Sequence, residues 1–283
     1  NLINMSFDRP AMTRDHLKYR NSEIHFISFG RGDELLVCLH GFGDRANMFL
    51  CLEPSLSARY TVYALDLPYH GQTHWVHDRF HKEDIIQLIR LVQQREPGKP
   101  LSMMGFSYGG RIVQSLLQDF EQDLQTIYLL APDGIETKWM FNAYLVPQWF
   151  RYVIRSVLKK PEWFITTVGS LRRSGIISKF VHDFAVNHII TKDRRDRIFC
   201  MWLSLNDFKL QKTKVKRQLK DMGLPVYLFF GKRDEVIPPK AGEWLAEGLP
   251  NARLFLLDEG HLLVDQELNE RLKKILQANK KSP

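Results

Sequence analysis

Short apolar runs rich in Val, Leu, Ile and aromatic residues recur through the first half of the chain, at 23–29, 35–39, 60–65, 101–104 and 126–131. Most are nearly continuous rather than alternating, the pattern of strands buried on both faces of a parallel sheet. Helical periodicity between them predicts helices over 83–94 and 108–120, and the alternation implies βαβ units. From about Gly134 the strand pattern stops. The stretch that follows, to residue 224, has helix-like spacing, 13 aromatic residues and four of the six tryptophans. After Pro225 the strands resume at 225–230 and 252–257, with helices predicted over 240–248 and 266–279. The pattern therefore describes one α/β domain, 1–133 and 225–283, interrupted by a helical insertion, 134–224. No internal repeat appears, and Lys280 to Pro283 read as a frayed end.

Composition narrows the class. In 283 residues, 44% are apolar and 25% charged, with 17 Gly and 13 Pro, which excludes disordered and fibrous chains. No apolar run approaches the roughly 18 residues that span a bilayer, and Asn1 to Pro10 lacks a basic segment followed by an apolar one. Cys38, Cys51 and Cys200 are three, at irregular spacing, which suits free thiols in a reducing compartment. The expectation is a soluble, cytoplasmic protein. The net charge of +8 is concentrated: residues 136–221 hold 18 Lys and Arg against seven Asp and Glu.

The chemistry begins at Gly105-Phe106-Ser107-Tyr108-Gly109-Gly110. A G-x-S-x-G pattern between an apolar run and a helical run is a sharp strand-to-helix turn that exposes a serine hydroxyl beside helix N-terminal amides. Ser107 is the candidate nucleophile. A serine needs a base, and the base needs a carboxylate to orient it. Downstream, Asp234 follows one buried-strand run and His261 follows the last, so both fall at strand C-terminal ends, where parallel sheets build their sites. Glu235 and Asp258 are rivals for the acid. The oxyanion donors are the backbone N–H groups of Tyr108 and of Phe42, the latter in His40-Gly41-Phe42-Gly43.

Taken in order, these residues resemble the α/β-hydrolase superfamily with a helical cap. The resemblance rests on His40-Gly41-Phe42-Gly43, Asp66-Leu67-Pro68-Tyr69-His70-Gly71, the turn around Ser107, the Gly231 to Pro238 stretch with Asp234, and Gly260-His261, and runs from about Glu23 to Asn279. It implies a mostly parallel sheet flanked by helices, and a triad of Ser107, His261 and Asp234. Ser107, instead of Asp, at the turn argues against the dehalogenase and epoxide hydrolase branches. Tyr69 departs from the pattern, which commonly has Gly there.

The activity expected is hydrolysis of a carboxylic ester or related acyl compound, without metal or organic cofactor. The same triad also serves C–C bond hydrolases and a lyase of menaquinone synthesis, whose nucleophile turn is similar to Gly105 through Arg111; a non-catalytic binding protein on this fold is the third alternative. Arg111, four residues after Ser107, and His40 are candidate substrate contacts, with a structural ion pair as the other reading of Arg111. His70, His74, His77 and His81 have helical spacing, but Pro68 and Gly71 disfavour the helix a metal site would need. In the insertion, Trp139, Phe141, Tyr144, Trp149, Phe150, Tyr152, Trp163 and Phe164 alternate with Arg151, Arg155, Lys159 and Lys160. The aromatics are expected to pack a small core and the cations to coat it; an acidic or aromatic substrate would also suit them. A small molecule is the expected partner. Nucleic acid is not, and contact with an anionic membrane surface is a minor alternative.

Overall fold

The computed structural model describes residues 12–135, 160–189, 191, 200 and 204–279. Of the insertion's expected aromatic and basic residues, Trp139, Phe141, Tyr144, Trp149, Phe150, Tyr152, Arg151, Arg155 and Lys159 lie outside them, as do Asn1 to Pro10 and Lys280 to Pro283.

Eight strands form one sheet in the order β1-β2-β4-β3-β5-β6-β7-β8. They are β1 (Thr13–Tyr19), β2 (Ser22–Phe29), β3 (Glu34–Leu39), β4 (Tyr60–Leu65), β5 (Leu101–Phe106), β6 (Leu124–Leu130), β7 (Val226–Gly231) and β8 (Ala252–Leu257). β3 through β8 run parallel, while β2 pairs antiparallel with both β1 and β4. β4, β5 and β7 are buried at every position, which explains their unbroken apolar sequences. The edge strand β8 is half-exposed along most of its length.

The hairpin strand β1 is absent from the sequence expectation. Its residues, Thr-Arg-Asp-His-Leu-Lys-Tyr, bury only Leu17. It is held instead by the turn Arg20-Asn21, where both residues have positive φ (47° and 62°), as hairpin turns of the primed type require. The helix after the nucleophile also differs: it spans Tyr108–Ser115 and stops before 120. The Leu116 N–H is shared between the carbonyls of Ile112 and Val113, and the chain tightens into turns. Leu116, Leu117 and Phe120 remain buried there, so the apolar periodicity outlasts the helix that it predicts.

Two compact units are present, one comprising Asn1–Val76, Lys82–Thr137 and Lys209–Pro283, the other His77–His81 and Lys138–Phe208. The helix Lys212–Met222 thus belongs with the sheet, although the strand pattern counts it with the insertion. It buries Val215 and Leu219, its Lys216 ammonium bonds the Trp244 carbonyl, and the Asn251 amide donates to the Leu219 and Leu224 carbonyls (3.0 and 2.6 Å). Within the second unit, the helices Pro161–Arg173 and Lys179–Ile189 pack together, and the Phe80 N–H bonds the Ser204 hydroxyl. Among the described residues no helix is long and apolar enough to cross a membrane.

Candidate active site

Ser107 stands between β5 and the helix Tyr108–Ser115 with φ 50° and ψ −112°, a strained conformation for a residue with a Cβ. Its backbone is fixed on both sides: its N–H bonds the Leu130 carbonyl (2.9 Å), and its carbonyl accepts from Arg111 (3.1 Å) and Asp133 (2.9 Å). The turn is possible because the helix lies directly on the strand ends. A Cβ on Gly109 would strike the carbonyl oxygens of Leu39 and His40.

Asp234 follows β7. One of its oxygens, Oδ1, accepts the backbone N–H groups of Val236 (2.7 Å) and Ile237 (2.8 Å), which fixes the carboxylate's direction. The other, Oδ2, lies 2.8 Å from His261 Nδ1, and His261 Nε2 lies 3.0 Å from Ser107 Oγ. Because a carboxylate only accepts, Nδ1 carries the proton and the Nε2 lone pair faces the serine hydroxyl. The Asp234 side chain is fully buried and the imidazole is about nine-tenths so, its ring resting 5.2 Å from that of Phe106. Three side chains separated by 127 and 27 residues in sequence therefore form one hydrogen-bonded chain. The two rival acids stand elsewhere. Asp258 is exposed and pairs with Lys232 (2.9 Å), whose ammonium holds its carboxyl below the usual carboxylate range, and Glu235 is exposed.

The loop carrying Phe42 is braced by two histidines in a reciprocal arrangement. His40 Nδ1–H donates to the Gly41 carbonyl (2.7 Å), and its Nε2 accepts the Leu67 N–H (3.0 Å). From the facing loop, His70 Nδ1–H donates to the Pro68 carbonyl (2.9 Å), and its Nε2 accepts the Gly43 N–H (3.1 Å). Each ring closes its own loop and grips the other, with the ring centroids 5.0 Å apart. His40 is completely buried and spends both nitrogens on backbone, which makes it a brace rather than the substrate contact that its position suggests. Below the brace, Asp66 accepts from Ala46 N–H (2.6 Å), Gln72 N–H (2.8 Å) and His25 Nδ1 (2.7 Å). A Cβ on Gly71 would occupy the space of that carboxylate. Tyr69 adopts φ 66°, which accounts for the preference for Gly at this point of the motif.

Arg111 is 2% exposed and forms an ion pair with Asp133 (2.8 Å). The carboxylate it meets is the chain's own. Phe42 lies half-buried in the braced loop, and Tyr108 is the first residue of its helix. His70, His74, His77 and His81 share no helix, and no group of three metal-type ligands occurs among the described residues.

A family model described as alpha/beta hydrolase fold matches residues 34–268, most of the chain. The chain belongs to the α/β-hydrolase fold family. Two curated relatives match it at low identity. One is an uncharacterized hydrolase, YugF, of Bacillus subtilis (strain 168), 24% identical over 256 residues that cover 86% of this chain and 88% of the relative. Another is a pimeloyl-[acyl-carrier protein] methyl ester esterase of Nitrosomonas europaea, 23% identical over 248 residues, covering 85% and 93%. Among solved structures, the 2-hydroxy-6-oxo-6-phenylhexa-2,4-dienoate hydrolase of Rhodococcus sp. strain RHA1 has the same fold, with a TM-score of 0.67 at 16% identity over 96% of this chain and 99% of that one. This α/β-hydrolase is accordingly a hydrolytic enzyme. The roles of Asp66 and His70 are not legible in the stretch Asp66 to Gly71, because nothing in its sequence says what they bond.

Proposed function

We propose that this α/β-hydrolase cleaves carboxylic esters through an acyl-enzyme on Ser107. His261 takes the hydroxyl proton as Oγ attacks the carbonyl carbon, and Asp234 holds the ring in its Nδ1–H tautomer and stabilises the imidazolium that forms. The backbone N–H groups of Phe42 and Tyr108 receive the oxyanion. The imidazolium then protonates the departing alcohol, and a water activated by the same ring releases the acid. The observation that carries this reading is the unbroken chain from Asp234 through His261 to Ser107, at 2.8 and 3.0 Å, ending on a serine held in a strained turn. The esterase name of the Nitrosomonas relative supports an ester as the bond cleaved.

The test is a panel of p-nitrophenyl acetate, butyrate and octanoate, run beside a vinylogous diketone and a succinyl cyclohexene acid. Ester turnover that disappears in His261→Ala is the expected result. Activity confined to the last two compounds would replace ester hydrolysis with carbon–carbon bond chemistry at the same residues.

A further inference from the structure

We infer that Asp44 sets the charge class of the substrate: the site accepts esters whose acyl part is neutral or cationic near the scissile carbonyl and rejects those carrying a carboxylate there. This rests on Ser107 and His261 acting as proposed above. Asp44 lies two residues beyond Phe42, and its own N–H closes the loop on the Gly41 carbonyl (3.2 Å). Its side chain folds back over Gly41. The space where a Cβ on Gly41 would stand is bounded by Asp44 Oδ2 at 3.0 Å and by the Phe106 ring at 2.9 Å. Phe106 immediately precedes the nucleophile, and its ring packs on that of His261. Carboxylate, loop, ring and imidazole form one cluster.

Among the described residues, the other buried aspartates have evident partners. Asp66 takes three donors, Asp234 takes two amides and the imidazole, and Asp84 accepts from the Tyr19 hydroxyl and Arg20. Asp44 is half-buried, and among the described residues its carboxylate has neither a hydrogen-bond donor nor an ion-pair partner. A carboxylate drawn from water without a partner costs free energy and contributes nothing to the fold. Burial pushes its carboxyl above 3.8, and the nearby His261 charge pulls the other way. Over Gly41, beside the Phe106 ring that packs on His261, the carboxylate is within electrostatic reach of the reacting groups, in a setting less screened than bulk water. A negative charge so placed repels a second anion brought to Ser107. The basic segment at 136–221 suggests an acidic substrate; at the reacting carbonyl, Asp44 opposes one.

The experiment uses three p-nitrophenyl esters of similar length: butyrate, hemisuccinate and 4-trimethylammoniobutyrate. In the unmodified protein kcat/KM should be lowest for the hemisuccinate, and the anionic-to-neutral ratio should climb with added salt. In Asp44→Asn that ratio should rise on the order of tenfold, while the cationic-to-neutral ratio falls; Asp44→Ser should do the same. A serine-directed fluorophosphonate is run alongside. Labelled variants whose ratios match the unmodified protein overturn the role of Asp44 and leave the triad intact. A hemisuccinate preference in the unmodified protein also overturns it. An unmodified protein that resists the label overturns both proposals.

Discussion

At the scale of single residues, the candidate nucleophile sits where the backbone is least relaxed. The positive φ of Ser107 costs about 1–3 kcal/mol, and three backbone hydrogen bonds to Leu130, Arg111 and Asp133 hold it there. Asp234 makes the complementary point, since two amides fix Oδ1 and leave Oδ2 aimed at His261. Asp234→Asn keeps the volume but places an amide where Nδ1–H donates, favouring the wrong tautomer. We expect kcat to fall by roughly 10⁴ with KM changed far less, measured by steady-state kinetics on an ester substrate; a loss under tenfold would remove Asp234 from its role. All three residues were legible in sequence because each follows an apolar run that ends at the same edge of the sheet. The choice of acid over Glu235 and Asp258 became physical only once burial was visible. Asp44 was not legible: its significance comes from a side chain that folds back over Gly41, which no spacing encodes.

At the scale of elements, the loops after β3 and β4 act as a pair. His40 and His70 each accept one N–H from the opposite loop, so the position of the Phe42 amide depends on a residue 28 positions away. His70→Leu removes the acceptor for Gly43, whereas His70→Gln can restore one. We expect the leucine variant to lower kcat by roughly tenfold to a hundredfold, a part of the effect of losing an oxyanion donor outright. KM should stay within a few-fold and the glutamine variant should recover much of the rate. Equal loss in both variants would show that ring packing matters and the acceptor does not. The buried strands were readable because their burial is unbroken, and the helix Gln266–Asn279 because its buried Leu268, Leu272, Ile275 and Leu276 recur at helical spacing. The hairpin strand β1 was not, since it buries one side chain and depends on backbone pairing with β2. Nor was the end of the helix at Ser115, where hydrogen-bond geometry changes while the apolar pattern continues.

At the scale of the molecule, the parallel strands bring the ends of β3, β4, β5, β7 and β8 to one edge, which is why residues from distant parts of the sequence meet. The sheet also buries phenols. Tyr60 and Tyr128 bond each other through their hydroxyls (2.9 Å), Tyr128 stacks on Tyr227, and the Tyr63 hydroxyl donates to Glu96 (2.9 Å). Burial raises Tyr60 and Tyr128, and burial together with the Glu96 carboxylate pushes Tyr63 up to about 12 from 10.0. The fold therefore prefers these groups neutral. Their contribution is present in full below pH 10; that of Tyr63 is lost as the pH rises from 10 toward 12, where the unfolded chain ionises first, and those of Tyr60 and Tyr128 are lost above 10 in the same sense. Urea midpoints taken from pH 8 to 12 should hold steady to about 10 and then fall, with a shallower fall in Tyr63→Phe; a flat profile would contradict this. Such coupling could not be read from sequence, where Tyr60, Tyr128 and Tyr227 lie on three separate strands and Glu96 lies far from Tyr63. The central claim, that Ser107 is made nucleophilic by His261, is tested most directly by peptide mass mapping after treatment with a fluorophosphonate. The account predicts a single adduct on the peptide containing Ser107 and its loss in His261→Ala; an unmodified Ser107, or equal labelling in the variant, would contradict it.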